Sequence, residues 1–403
     1  MYQLYWFMFY KIPFVLLAII VAVIFIDLPL TIQQVVYSIS ITIKSFIIMI
    51  LPIVILCLLF KTIVSLSNNA SKIIGLIFTL VCCSNFLSTF LSHYVGIIVY
   101  NFDLSILTPK NSLDLQPLWE LHLPTLISND KAIFAGIILG FMSLKFYPKL
   151  ANLSSKYVVF YIHKLLSGFI YLIPLFIAGF IIKLKYDGII ESMLKNYSVI
   201  FIVIACSQFT YILLSYIILN KFNIKQSLNN LANIMPAAIS GFSTMSSAAS
   251  MPLTIIGAER NARNKDIARS VIPATVNIHL VGDCFAIPIF AYAVLKSFGM
   301  SEPSLMQYVI FASYFVLAKF SVAAIPGGGI IVMLPILQDY LGFNADMMSL
   351  ITALYILFDP VITCANVLGN GAFAKLIDRI VEFKFRDKKI ESVHTKKDRK
   401  ASL

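Results

Sequence analysis

The chain has 403 residues, 59% of them hydrophobic and only 12% charged, whereas an ordinary soluble domain carries about a quarter charged residues. That composition excludes a soluble globular fold, whose surface could not hide so much apolar material. The formal net charge of +12 does not point to nucleic acid, because the excess sits largely in the tail Lys384–Lys400 and in short clusters between apolar stretches, as in the positive-inside pattern of membrane proteins.

The apolar stretches are continuous runs such as Phe14 to Ile26, not segments of about ten residues alternating in polarity, so they predict spanning helices and not a barrel. Ten are found, near 12–30, 35–60, 73–102, 131–148, 157–183, 196–220, 227–257, 267–298, 304–338 and 347–377. Most reach the roughly 20 residues that cross about 30 Å of hydrocarbon. No small-residue cleavage site follows the first, which predicts a retained signal-anchor. Cys57, Cys82, Cys83, Cys206, Cys284 and Cys364 lie inside apolar stretches without CxxC or Cys/His spacing and read as small hydrophobes, not disulfides or metal ligands.

Charge then orients the stretches. Lys61 and Lys72, the group Lys145, Lys149 and Lys156, Lys221 and Lys225, the group Arg260, Arg263, Lys265 and Arg269, and the tail mark the cytoplasmic side. The segments 103–130 (Asp103, Asp114, Glu120, Asp130) and 339–346 (Asp339, Asp346) mark the outside, and 183–195 is mixed. With the N-terminus inside, strict alternation holds through six stretches, but 227–257 is basic at both ends and 304–338 has both ends outside. Neither can cross once, so both are expected to be re-entrant hairpins. Each also has a breaker at its centre, Ser243–Ser250 (STMSSAAS) in the first and Pro326-Gly327-Gly328-Gly329 in the second. Non-helical backbone at membrane depth survives only where protein or a water-filled cavity satisfies it, so two facing tips imply a shared polar site.

The expected fold is an all-α polytopic membrane protein with about eight transmembrane helices plus two re-entrant helical hairpins in an inverted-repeat transporter core. Residues 1–220 would supply scaffold and oligomerisation helices, with part of the transport domain among them. Residues 221–380 would form the transport core, with a hairpin at about 226–257, a helix at 266–298, a second hairpin at 304–339 and a last helix at 346–378. Residues 381–403 would be a basic cytoplasmic tail, leaving both termini inside. Substrate in such repeats lies near the midplane between broken helices, which points to a secondary transporter. Its partners would be a small-molecule substrate and the bilayer, with no nucleic acid and no cofactor.

Polar groups that persist in hydrocarbon are functional candidates. Asn277, His279 and Asp283 fall in one span, and their spacing would place His279 and Asp283 on one helix face, as a satisfied pair or a proton relay. Asp359, Thr363, Asn366 and Asn370 follow at helical spacing and form a polar stripe. Lys319, just before the second breaker, would snorkel or contact carbonyls at the tip.

At these residues the sequence resembles the dicarboxylate/amino acid:cation symporter family, which includes bacterial glutamate, serine/threonine and C4-dicarboxylate carriers and animal glutamate transporters. The resemblance rests on Phe46–Val54 around Pro52, on Ser243–Pro252 (STMSSAASMP), on Ala318–Gly329 (AKFSVAAIPGGG) and on Asp359–Gly371. It implies that Ser246, Ser247 and the backbone at Ile325, Pro326 and Gly327 bind substrate between the tips, that Asp359 meets an amino group, and that Thr363 and Asn366 complete the site. Asn277, His279, Asp283, Asn366 and Asn370 would serve cation coupling, with sodium at Asn277, Asn366 and Asn370. It also implies elevator-type alternating access, a homotrimer and a plasma-membrane location, the bacterial inner membrane.

Two departures stand out. A gapless register from Pro273 puts His279, Val281 and Asp283 on the asparagine, aspartate and threonine of the family's sodium motif, which makes the proton a competitor to sodium. Ile362 replaces the arginine that grips a second carboxylate, and the retained Asp359 favours an amino-bearing substrate, so a neutral amino acid comes ahead of a dicarboxylate. An intramembrane aspartyl protease is the alternative from another class, since Val281-Gly282-Asp283 and Phe358-Asp359-Pro360 supply two membrane aspartates. The order of those elements is reversed, and neither Gly-x-Gly-Asp nor Pro-Ala-Leu is present. A channel and a non-transporting relative are further alternatives.

Overall fold

A computed structural model describes residues 18, 22–23, 25–67, 71–101, 115–121, 123–124, 127–188, 190–322 and 327–401. Most of the first apolar stretch, with its expected signal-anchor, lies outside the described residues, as do Asp103 and Asp114. Every regular element among the described residues is a helix, which is the form that satisfies each backbone group within its own segment where no water is available. Four described stretches are long and apolar enough to span a bilayer: Leu30–Lys61, Gly75–Asn101, Tyr197–Leu219 and Ala345–Glu382. This is an all-α polytopic membrane protein.

From Leu30 to residue 220 the described residues form α1 (Leu30–Ser67), α2 (Ser71–Asn101), α3 (Asn129–Phe146), α4 (Pro148–Tyr186) and α5 (Ile190–Leu219). Helix α1 packs on α3 and α4, while α2 turns toward the C-terminal half. The outer faces carry exposed Phe141, Phe160, Tyr161, Ile202 and Ile218, which suits a lipid or protein surround and not water.

The C-terminal half begins with a hairpin of α6 (Ile224–Thr244) and α7 (Ser247–Asn261). Its tip turns because Met245 takes a left-handed conformation (φ 50°) and Ser246 caps α7 by accepting from Ala249 N–H. At the open end, Asn261 Nδ2 donates to Asn230 O (2.8 Å) and Asn233 Nδ2 donates to Asn261 Oδ1 (2.8 Å), so two amides cross-link the arms.

The expected single helix over 266–298 is instead two, α8 (Lys265–Thr275) and α9 (Val281–Ser297), separated by an unwound stretch. Apolar periodicity alone did not show this break. Helix α9 is buried along nearly its whole length, as expected of a helix that is apolar on all sides. A second hairpin, α10 (Leu305–Lys319) and α11 (Gly328–Leu341), packs arm on arm. Finally α12 (Ala345–Ala401) contacts both hairpins and α9, and it continues as helix through the segment expected to be a tail.

Asn261→Ala removes one cross-arm donor and leaves the Asn233 amide without its acceptor. A buried unmatched group costs about 1–3 kcal/mol, so this variant should melt several degrees below the wild type in detergent, as followed by intrinsic fluorescence.

Candidate functional site

The unwound stretch is held by side-chain amides. Asn85 on α2 donates to Ile278 O (2.7 Å) and accepts from Leu280 N–H (3.3 Å). Asn366 Oδ1 accepts from Gly282 N–H (2.8 Å), and Asn370 Nδ2 donates to His279 O (3.1 Å) and to Asn366 O (3.0 Å). Thr275 donates its hydroxyl to Asn370 Oδ1 (3.0 Å). A carboxamide carries both donor and acceptor, so three asparagines satisfy the backbone groups that the broken helix releases.

Both hairpin tips meet this break. Met245 and Ser247 of the first hairpin, Val322 and Gly329 of the second, Asn277 of the break, Asp283 of α9, and Asp359, Thr363 and Asn366 of α12 line one small cavity of about 30 Å³. That is room for a water molecule or a bare cation.

Two carboxylates face it. Asp359 is buried, its Oδ2 accepting from Gly327 N–H of the second tip (2.8 Å) and its Oδ1 from Thr363 Oγ1 (3.1 Å). Gly327 lies in the left-handed region at φ +71°, where a side chain would be strained. Ionised carboxylate has about four acceptor positions, so capacity remains for an incoming ammonium. Asp283 is tied differently: Lys319 Nζ lies 2.8 Å from its Oδ2, Tyr355 donates to its Oδ1 (2.8 Å), and Asn366 Nδ2 adds a longer contact (3.4 Å). Lys319 is fully buried. It pairs with Asp283 inside the protein and does not snorkel to the membrane surface.

Several sequence expectations change. His279 and Asp283 do not share a helix face: the break separates them, and His279 Nε2 pairs with Ser84 Oγ (2.9 Å) while its ring packs against Phe373. His279 lines a different cavity, with Ser84, Tyr211 and Gly369. Ser246 caps a helix and does not line the shared cavity, whereas Ser247 does. Asn370 lies behind the cavity as a buttress. Ile362 is fully buried, with its carbonyl close against Gly282, and does not line the cavity. Ile325 and Pro326 lie outside the described residues. Tyr355 and Asn85 were not anticipated. Tyr355 precedes Asp359 by four residues and extends the polar stripe, a signal the spacing offered, while Asn85 gave none.

A family model for the "Sodium:dicarboxylate symporter family" matches residues 131–380. Excitatory amino acid transporter 1 of Mus musculus is 26% identical over 219 residues, which covers 53% of this chain and 39% of that protein. The Homo sapiens protein of the same name matches to the same extent. The excitatory amino acid transporter of Onchocerca volvulus is 29% identical over 145 residues, 36% of this chain and 29% of that one. The matched segment thus spans less than half the length of these relatives.

Asn85→Leu strips both partners from the break. Amide hydrogen exchange at Ile278–Leu280 should rise at least tenfold relative to α9, as read by mass spectrometry of the purified protein.

Proposed function

The chain belongs to the sodium:dicarboxylate symporter family, a family of transporters and not of enzymes, and from that premise we propose that it is a secondary active symporter for a small amino acid. Uptake is driven by a cation gradient, sodium ahead of the proton. The observation that carries this reading is the small cavity where two hairpin tips meet two buried carboxylates.

Asp359 binds the substrate ammonium, while Thr363, Ser247 and the backbone around Gly327 hold its carboxylate. The N–H groups opening α11 favour an anion there. Because Asp359 also accepts from Gly327, substrate binding and the position of the second tip are linked through one carboxylate, so the second hairpin acts as the gate. Among the described residues no arginine lines the cavity, so no guanidinium there selects a second carboxylate, and neutral amino acids are preferred over dicarboxylates.

Asn277 is the favoured sodium ligand, since its buried Oδ1 lacks a partner and it lines the cavity. Asn366 and Asn370 are engaged with backbone. His279 sits on another cavity, which weakens a proton relay through it. Elevator movement of α6–α12 against the earlier helices, assembly as a homotrimer, residence in a bacterial inner membrane and cytoplasmic termini complete the proposal, and these rest on the resemblance and on charge. Two aspartates at one cavity also suit an aspartyl protease, but a lysine bound to Asp283 removes the shared proton such a pair requires.

Uptake of labelled amino acids and dicarboxylates into proteoliposomes, under separately imposed sodium and proton gradients, tests the proposal. The expected result is sodium-driven accumulation of a neutral amino acid, and accumulation of nothing under either gradient overturns it. Asp359→Asn removes a charge-assisted contact of about 1.5–3 kcal/mol, so it should cut amino acid uptake by roughly 10- to 100-fold.

A further inference from the structure

The Lys319–Asp283 pair has no part in substrate binding as described, yet it is the most deeply buried ion pair among the described residues, with side chains 0% and 2% exposed. Burying an ammonium is expensive, more so at membrane depth. Its surroundings are built for it. Lys319 stands in the last turn of α10, where free carbonyls favour a cation, and Asp283 stands in the first turn of α9, where free N–H groups favour an anion. The ammonium also lies 4.6 Å from the centre of the Phe315 ring, a cation–π distance. On its far side the carboxylate is filled by Tyr355 and Asn366. Close packing leaves no slack, because a Cβ at Gly329 would come 2.6 Å from Asp283 Oδ2 and 2.3 Å from Tyr355 Oη.

The charges around the cavity can then be counted. Among the described residues, Asp283 and Asp359 are its only charged lining groups, and Lys319 behind Asp283 supplies one positive charge. With both carboxylates ionised, the site is therefore one positive charge short of neutral, not two. We propose that the Lys319 ammonium is a tethered counter-cation that permanently occupies the cation position at Asp283, so that the transport core takes up one fewer free cation than it would without this lysine. The inference rests on the symporter reading above and concerns which positive charge is carried by the protein itself.

The test is the melting temperature of the purified protein in sodium chloride against choline chloride at equal ionic strength, for the wild type, Lys319→Met, Asp283→Asn and the double variant. Removing the lysine charge should open a sodium position at Asp283. Lys319→Met is thus expected to gain a sodium-dependent rise on the order of 5 °C beyond that of the wild type. The double variant, which lacks both charges, should lose that increment. Equal destabilisation of Lys319→Met in sodium and choline marks the lysine as merely structural and overturns the proposal, as does an increment that persists in the double variant. Should Lys319→Met not survive solubilisation in choline, its recovery in sodium is the same readout, and equal failure in both salts counts against the proposal. In proteoliposomes the sodium activation of uptake should rise by one order in Lys319→Met. A wild type that accumulates nothing under any gradient sinks the symporter reading alone, since the melting comparison still reports on Lys319.

Discussion

A carboxylate at the centre of an apolar bundle cannot stand alone, and the arrangement around Asp283 follows from that constraint. Isolated ionised groups lose far more in desolvation than packing returns. Asp283 therefore gathers Lys319 from α10, Tyr355 and Asn366 from α12, and the close approach of α11 at Gly329. Four helices meet at one side chain. The second hairpin is fixed to the broken helix and to α12 through this carboxylate, so the position of its tip is decided by charge as well as by apolar contact.

The same logic governs the backbone. Breaking the helix between Thr275 and Val281 releases amides and carbonyls that nothing apolar can satisfy. Asn85 supplies both a donor and an acceptor, Asn366 an acceptor and Asn370 a donor, and between them they account for Ile278 O, His279 O, Leu280 N–H and Gly282 N–H. Asparagines that the sequence presented as sodium ligands are in part structural groups that keep the break open. Asn277, whose oxygen stays unmatched, remains on the cavity side. The supporting amides thus hold the break, and the Asn277 oxygen is the group that the proposed function assigns to sodium.

Coupling in a transporter requires that ligand charge and gate position be linked. Asp359 offers such a link, since one carboxylate faces the cavity and accepts from Gly327 of the second tip. A ligand that takes this carboxylate must alter the tip, and a tip that closes on it limits access. The cavity of about 30 Å³ is smaller than an amino acid, so under the proposed function the tips must part when the substrate enters. A rigid pocket of fixed size would not impose that requirement.

Much of this architecture was legible in the sequence. Apolar length, lysine and arginine placement and central breakers identified two hairpins, because hydrocarbon penalises charge and unpaired backbone strongly enough to leave a one-dimensional trace. Spacing alone also placed Asp359, Thr363 and Asn366 on one face of α12, and all three reach the cavity. What the tertiary structure decided is partnership. Lys319 and Asp283 are 36 residues apart and Asn85 is 193 residues from Ile278, so no local period connects them. His279 and Asp283 share a helical spacing that the break cancels, since backbone satisfied by side chains from other helices need not stay helical. Charge and hydropathy are properties of segments and survive in the order of residues, whereas the pairing of buried polar groups depends on which segments meet, and that exists only after the helices have packed.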